Sequence, residues 1–278
     1  MRRGAAALAI AALLAWPAAP AGAAAAAGTG APAAAPAAPP AAAPAPVPAP
    51  AVPVPDAMPA AAARTAAIAA PTASADIVTR LPTRDKVVAL TFDACQSVVR
   101  MQLDHGIVDL LVERRIPFTI FAGGRFARDN AAALRALAEL GYVAIENHSW
   151  SHRSDMRLLE DAEVATEIRR AEAMLVSVTG RRPTLFRFPG GNADARTAAI
   201  ARGLGYRVVH WRWAEGDPDP NVTADMLVAQ TLARTRAGDI LIFHVNGRGV
   251  HTAEALPRIL DGLAARGYRF VAIRDYLP

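Results

Sequence analysis

A single cysteine, Cys95, stands in 278 residues. The chain therefore cannot close a disulfide within itself, nor build a structural zinc site from several thiolates. Lysine is as scarce: Lys86 is the only one among 30 basic residues, and the arginines that make up the rest are scattered. Aromatics amount to 6% of the chain and no basic run interleaves with them, so the footprint of a nucleic-acid binder is missing and no nucleic-acid partner is expected. Net charge is +5, of which Arg2 and Arg3 supply two. The apolar run Ala5 to Trp16 stops at Pro17, well short of the about 20 residues a bilayer-spanning helix needs.

Large apolar side chains are also rare in the first 75 or so residues, which are nearly all Ala and Pro. Such a segment has little with which to offset the entropy of ordering, so it is not expected to form a core. Residues 1–23 read as a secretory signal. Arg2 and Arg3 form its basic start, Ala5 to Trp16 its apolar stretch, and Ala19, Ala21 and Ala23 offer small-residue cleavage sites. A retained anchor is the competing reading, and the shortness of the run disfavours it. Residues 24–79 read as an Ala/Pro-rich disordered linker, extended where proline is densest, as in Pro46 to Asp56. The expected destination is outside the cytoplasm, periplasmic or secreted to the cell envelope, with no stable membrane insertion after signal cleavage. Residues 80–278 remain for one folded domain, enough to bury a sizeable core.

From Val87 onward, short β-type runs alternate with amphipathic helical stretches. The runs are Val87–Asp93, Phe118–Gly123, Tyr142–His148, Thr184–Pro189, Arg207–Trp213, Asp239–Val245 and Arg269–Ile273. Between them lie stretches such as Glu160–Val178, whose Val164, Ile168, Ala171, Leu175 and Val178 share one helical face. Near-continuous apolar strands alternating with helices predict an α/β fold with a parallel sheet. Seven units predict a distorted (β/α)7 barrel, with an open doubly wound sheet as the alternative.

Ionisable residues fall where those runs end. Asp93 closes the first run and His148 and His152 follow the third; Arg187 is near the end of the fourth, Asp217 follows the fifth, and His244 is near the end of the sixth. In a β/α barrel the C-terminal ends of the strands carry the chemistry. The spacing of four between His148 and His152 puts two imidazoles on one face of a helical turn, within reach of one divalent metal. Taken singly, each has a plainer reading. Asp93 could cap the next helix, Arg187 and Asp217 could be a surface ion pair, and Pro189-Gly190-Gly191 could be only a turn. His105, His210 and His251 fall outside the pattern and read as structural. Trp211 and Trp213 read first as core, Trp213 being the better candidate for substrate contact.

Five ordered motifs make the stretch Lys86 to Leu277 resemble the polysaccharide deacetylase family, the carbohydrate esterases with a NodB-homology domain. They are Thr91-Phe92-Asp93, the segment HSWSH from His148, Arg187-Phe188-Pro189-Gly190-Gly191, Gly216-Asp217, and Ile242-Phe243-His244. The resemblance implies a hydrolase that removes N-acetyl groups from the sugars of a polysaccharide such as peptidoglycan, a chitin-like chain or an exopolysaccharide. It implies a divalent metal, zinc for preference, held by His148 and His152, and water on that metal as the nucleophile. Asp93 matches the base, Arg187 the cation that holds it, His244 the acid and Asp217 its carboxylate partner. Gly190 is a candidate oxyanion donor, and Leu241, Ile242 or Trp213 could line the acetyl pocket.

One position departs from the family. The second of its two adjacent carboxylates, a metal ligand, is replaced here by Ala94. Asp93 or a water is expected to fill the gap, with Cys95 or Asp155 as other repairs. Pro218 also stands where the family often has Trp. Two further functions stay open: an O-acetyl esterase on the same scaffold, and a carbohydrate-binding pseudoenzyme that lost its metal.

Overall fold

The computed structural model describes residues 77–96 and 101–277. The expected signal at 1–23 and nearly all of the expected linker at 24–79 lie outside the described residues. The first described residues, Ile77–Val78, form a short strand, β1, on the sheet, ahead of the expected domain start at 80.

Eight strands make one curled parallel sheet surrounded by helices. After β1 come β2 (Val87–Ala94), α1 (His105–Glu113), β3 (Phe118–Ala122), α2 (Gly124–Asp129) and α3 (Ala131–Glu139). Then follow β4 (Val143–Asn147), α4 (Asp161–Thr179), β5 (Leu185–Phe186), α5 (Ala195–Gly203) and β6 (Arg207–Val209). The chain ends with α6 (Ala224–Arg234), β7 (Asp239–His244), α7 (Thr252–Ala265) and β8 (Arg269–Phe270). The sheet order is β1-β6-β5-β4-β3-β2-β7, every strand pair being parallel, and β8 pairs with the lower end of β2 that β3 leaves uncovered. The (β/α)7 barrel expected from the alternation is thus the observed architecture, drawn as a curled half-barrel.

Strand alternation sorts the core. On β2, Val88, Leu90, Phe92 and Ala94 pack outward with α1, α3, α6 and α7 side chains such as Ile107, Leu134, Leu227 and Ile259. Val87 and Ala89 face inward with Phe121, Leu185, Val209 and Ile240. Thr91 and Asp93, at the same alternation, continue that inner face towards the C-terminal rim. Helix α4 buries the five residues its spacing predicts, Val164, Ile168, Ala171, Leu175 and Val178, and ends at Gly180, whose φ of 69° suits the left-handed cap.

The strand ladder does not close. Two segments fill the seam between β6 and β7. Ile77–Val78 pairs with β6, and a few residues on Leu81 donates its N–H to Gly238. Beyond β6, the chain from Trp213 to Asp217 runs along the free edge of β7 and serves it with side chains. Trp213 Nε1 donates to Asp239, Glu215 Oε2 accepts the N–H of Ile242, and Asp217 Oδ2 accepts that of His244. Carboxylates here do what a neighbouring strand's carbonyls would do, which satisfies the edge donors. For this reason β6 stops at Val209, although the apolar run continues to Trp213.

Candidate active site

Asp93 stands at the inner C-terminal end of β2, 3% exposed. Arg187, just past β5 and wholly buried, donates Nη1–H to Asp93 Oδ1 at 2.8 Å and Nε–H to the Val209 carbonyl at 3.2 Å. Its guanidinium lies 4.0 Å from the centre of the Phe121 ring, which fixes the fork from below. Burial alone would push the Asp93 carboxyl up, but the charges of His148, Arg187 and His244 outweigh it and hold the group below the usual carboxylate range. Asp93 is therefore an ionised acceptor. It caps no helix, since the N-cap of α1 is Asp104.

His148 follows β4 and is fully buried. Its Nδ1–H donates to the Arg187 carbonyl at 2.8 Å, because a carbonyl can only accept, so in the neutral imidazole the lone pair is on Nε2. Nε2 faces Asp93 Oδ2 at 3.5 Å and Cys95 Sγ at 3.6 Å. His152 brings its ring within 5.1 Å of the His148 ring, centre to centre. The two are joined by a loop rather than the expected helical turn. Ser149 and His152 take the left-handed φ values of 66° and 54°, which side chains rarely adopt and which curl the loop so that both rings face one point. Glu167 on α4 fixes that loop by accepting the N–H groups of Trp150 and Ser151 and the Ser151 hydroxyl.

A metal of the kind the family uses fits these residues. One donor atom from each of Cys95, His148 and His152 lies within 4.8 Å of the others, the one such group of three among the described residues. Two imidazoles and a thiol are a donor set suited to zinc-class ions. Burial would push the Cys95 thiol up, but the charge of His152 and hydrogen bonds to the neighbouring imidazoles bring it well below the usual thiol range. Burial likewise opposes charge on His148, yet Asp93 and Cys95 raise its pKa. A pocket that attracts a proton to Nε2 attracts a divalent cation to the same lone pair, and the two compete.

On the adjacent strand, His244 ends β7 and pairs in register with Asp93. Its Nδ1–H donates to Asp217 Oδ1 at 2.9 Å, while Asp217 Oδ2 accepts from the His244 backbone and from Thr252 Oγ1. Burial alone would lower the His244 pKa; Asp217's charge and hydrogen bond overcome it and set the group well above its ordinary value. Asp217 and Arg187 form no pair with each other, since each holds a different partner.

Gly190 lies exposed in the 3-10 turn Pro189–Gly191, with φ of 63°. Gly191 beside it has φ of 70°, and a Cβ there would sit 2.8 Å from the Trp211 ring, so Trp211 packs beneath the turn. Ile242 is on the face of β7 that carries His244. Leu241 and Trp213 are not brought to the site. Leu241 alternates to the opposite face and is buried in the outer apolar cluster, and Trp213 joins that cluster, stacked by Arg234 and bonded to Asp239 at the far end of β7. Asp155 caps its own turn and pairs with Arg157. Ala94, expected beside the metal, also faces the outer cluster. Sequence reading passed over Glu215, whose fully buried carboxyl is pushed well above the usual range by burial. It also passed over Glu167; both act through backbone N–H groups, for which sequence carries no motif.

The arrangement is a carboxylate held ionised and an imidazole held charged on neighbouring strands, beside a cluster of metal-type donors at the C-terminal rim of a curled β/α half-barrel. Residues 80–209 match the sequence model of the family described as polysaccharide deacetylase, the family whose motifs the chain resembles. The chain is 27% identical over 199 residues to a peptidoglycan-N-acetylglucosamine deacetylase of Bacillus cereus, a match covering 71% of this chain and 91% of that protein. It superposes on a family 4 carbohydrate esterase from Streptomyces lividans with a TM-score of 0.58 at 27% identity, covering 68% of this chain and 93% of that one. A family 4 pseudoenzyme from Bacillus anthracis shares the fold at a TM-score of 0.65 and 20% identity, over 74% of this chain and 70% of that one. Among the described residues no helix is long and apolar enough to cross a membrane.

Proposed function

We propose that the protein is a metal-dependent deacetylase that hydrolyses the N-acetyl groups of a bacterial cell-envelope polysaccharide, acting after export. The observation that carries this is the register pair Asp93 and His244, an ionised base and a protonated acid on neighbouring strands. A pure binding module needs neither. The relatives' activity on acetylated glycans, and the signal read at residues 1–23, support the substrate class and the destination.

His148 and His152 would hold the metal, which when bound polarises the acetyl carbonyl and lowers the pKa of water. Asp93 accepts the proton of the attacking water, and Arg187 keeps that carboxylate ionised and aimed. The Gly190 N–H serves the developing oxyanion. His244 delivers a proton to the departing sugar nitrogen, which would otherwise leave as a strongly basic amide anion; Asp217 keeps the imidazole charged and turned. Ile242 borders the space for the acetyl methyl. An ester would need less help from His244, so the same residues also serve an O-acetyl substrate.

Acetate release is the test. The zinc-loaded full-length protein, incubated with peptidoglycan, chito-oligosaccharides and O-acetylated xylan, is expected to free acetate from the N-acetylated glycans, and chelator should stop it. Acetate from the ester alone would redirect the assignment to an esterase. Binding of glycan without acetate from any of them would make the protein a binding module.

A further inference from the structure

The family's second carboxylate is absent at Ala94, whose side chain carries no donor atom. Ala94 is fully buried in the outer apolar cluster. The next residue returns to the inner face. Cys95 stands two along from Asp93 and is 4% exposed, and its Sγ meets His148 Nε2. The backbone is fastened on both sides of this point. The Gly123 N–H donates to the Ala94 carbonyl, and Asn246 Nδ2 donates to that of Cys95.

We propose that Cys95 is the third protein ligand of the metal centre, taking the place of a carboxylate, so that the site selects zinc-class ions over magnesium and manganese. This rests on the reading that the site holds a metal at all. The spacing supports it. Donors at ordinary Zn–N and Zn–S lengths of about 2.1 and 2.3 Å, a tetrahedral angle apart, stand about 3.6 Å from each other. The separation of Cys95 Sγ and His148 Nε2 is 3.6 Å, and His152 completes the triangle within 4.8 Å.

The tautomer supports it as well. The Nδ1–H of His148 is committed to the Arg187 carbonyl, which turns the Nε2 lone pair towards the sulfur, the outer-shell arrangement that orients a ligating histidine. Asp93 is the competitor for the third position, because its Oδ2 is 3.5 Å from the same nitrogen. Its other oxygen is bound by Arg187, however, and it does not join the converging group of three. A thiolate ligand leaves Asp93 free to act as the base. A soft sulfur donor with two imidazoles favours zinc and cobalt, whereas magnesium and manganese prefer oxygen.

Because Cys95 is the chain's only cysteine, any thiolate–metal signal belongs to it. The full-length protein, stripped and reloaded with Co²⁺, is expected to bind about one ion and to show a near-ultraviolet sulfur-to-cobalt charge-transfer band. Excess Mg²⁺ or Mn²⁺ should leave that band in place. Cys95→Ser should lose the band and bind cobalt more weakly, by more than the about 10–100-fold that loss of an outer-shell partner costs. Cobalt bound at one equivalent without the band would overturn the thiolate ligand and leave the metal site standing on the histidines and Asp93. No cobalt bound at all would overturn the metal reading and the proposal together. Should Cys95→Ser not fold, alkylation of the wild-type thiol decides. Zinc should slow it by at least about tenfold if sulfur is a ligand, whereas burial alone would give the same rate with and without zinc.

Discussion

Asp217 grips His244 twice, with Oδ1 on the ring Nδ1–H at 2.9 Å and Oδ2 on the backbone N–H of the same residue. One carboxylate thus fixes both the charge of the imidazole and the edge of β7 from which it projects. The sign of its effect on pH dependence follows. His244 has a raised pKa, so it stays protonated as pH rises past the ordinary histidine value of about 6.5 and is lost as an acid only above that.

Asp217→Asn removes the charge but keeps an acceptor. Burial, the first influence on His244 and a lowering one, then meets less opposition, because the largest raising influence is gone. The alkaline limb of kcat/KM for the N-acetyl substrate is expected to move to lower pH, and the rate at neutral pH to fall by about 10²–10⁴. A full pH–rate profile of the variant checks this. An unmoved alkaline limb would mean that His244 is not the group being titrated.

Arg187 and Asp93 are both buried, and each leaves the other uncompensated if removed. Arg187→Met is expected to destabilise the protein by about 3–5 kcal/mol, the usual consequence of stranding one partner of a buried pair. The Asp93 pKa should rise, so the acid limb of the profile moves to higher pH. Denaturant unfolding gives the first quantity. In the double variant Arg187→Met/Asp93→Asn, much of the lost stability should return, because no charge is then left unpaired. If the double variant is as unstable as the two single effects added, the pair is not coupled.

Much of this was legible in the sequence, and for a physical reason. Parallel strands buried on both faces write themselves as apolar runs, and groups at strand ends share one rim, so Asp93, His148, Arg187 and His244 could be placed together before any coordinates. Position 94 is a place where a motif falls short, because it lists residues in order without saying which face each takes. Alternation along β2 sends Ala94 outward and Cys95 inward. Trp213 was misplaced for a related reason: its run leaves the ladder after Val209 and crosses to β7, guided by the side chains of Glu215 and Asp217. Side-chain-to-edge pairing has no periodicity, so nothing in the sequence announces it.

Glu146 carries a pH dependence of stability separate from Asp93 and His244. It lies buried on β4, where its Oε2 accepts the N–H groups of Thr184 and Leu185 at 2.8 Å each. Burial, only partly offset by those hydrogen bonds, raises its pKa from 4.5 to about 7. A folded-state pKa above the unfolded one contributes stability that is fully present below about pH 4.5 and is lost as pH rises towards 7. The shift corresponds to about 3 kcal/mol at most. Glu146→Gln keeps an oxygen for both N–H groups without the charge. It should therefore melt higher than wild type at pH 8, with the advantage shrinking as pH falls towards 4.5. Melting curves at the two pH values decide it; a constant difference would mean that Glu146 does not titrate in that range.

Ala94→Asp is the substitution the family pattern invites, and the structure predicts that it fails. Completing the usual pair of carboxylates at 93 and 94 assumes that both face the metal. Here Ala94 is fully buried and belongs to the outer apolar cluster. A carboxylate in that setting has no cation to meet and must either protonate or force the strand end to turn, at a penalty of several kcal/mol. The variant should unfold at clearly lower denaturant concentration and bind cobalt no more tightly than wild type. Cys95→Asp, by contrast, puts the carboxylate on the inner face two residues from Asp93. It should keep the metal, lose the sulfur band, and accept manganese more readily than wild type does. Tighter metal binding by Ala94→Asp at undiminished stability would show that the end of β2 turns position 94 inward, and the outward placement of Ala94 would have to be abandoned.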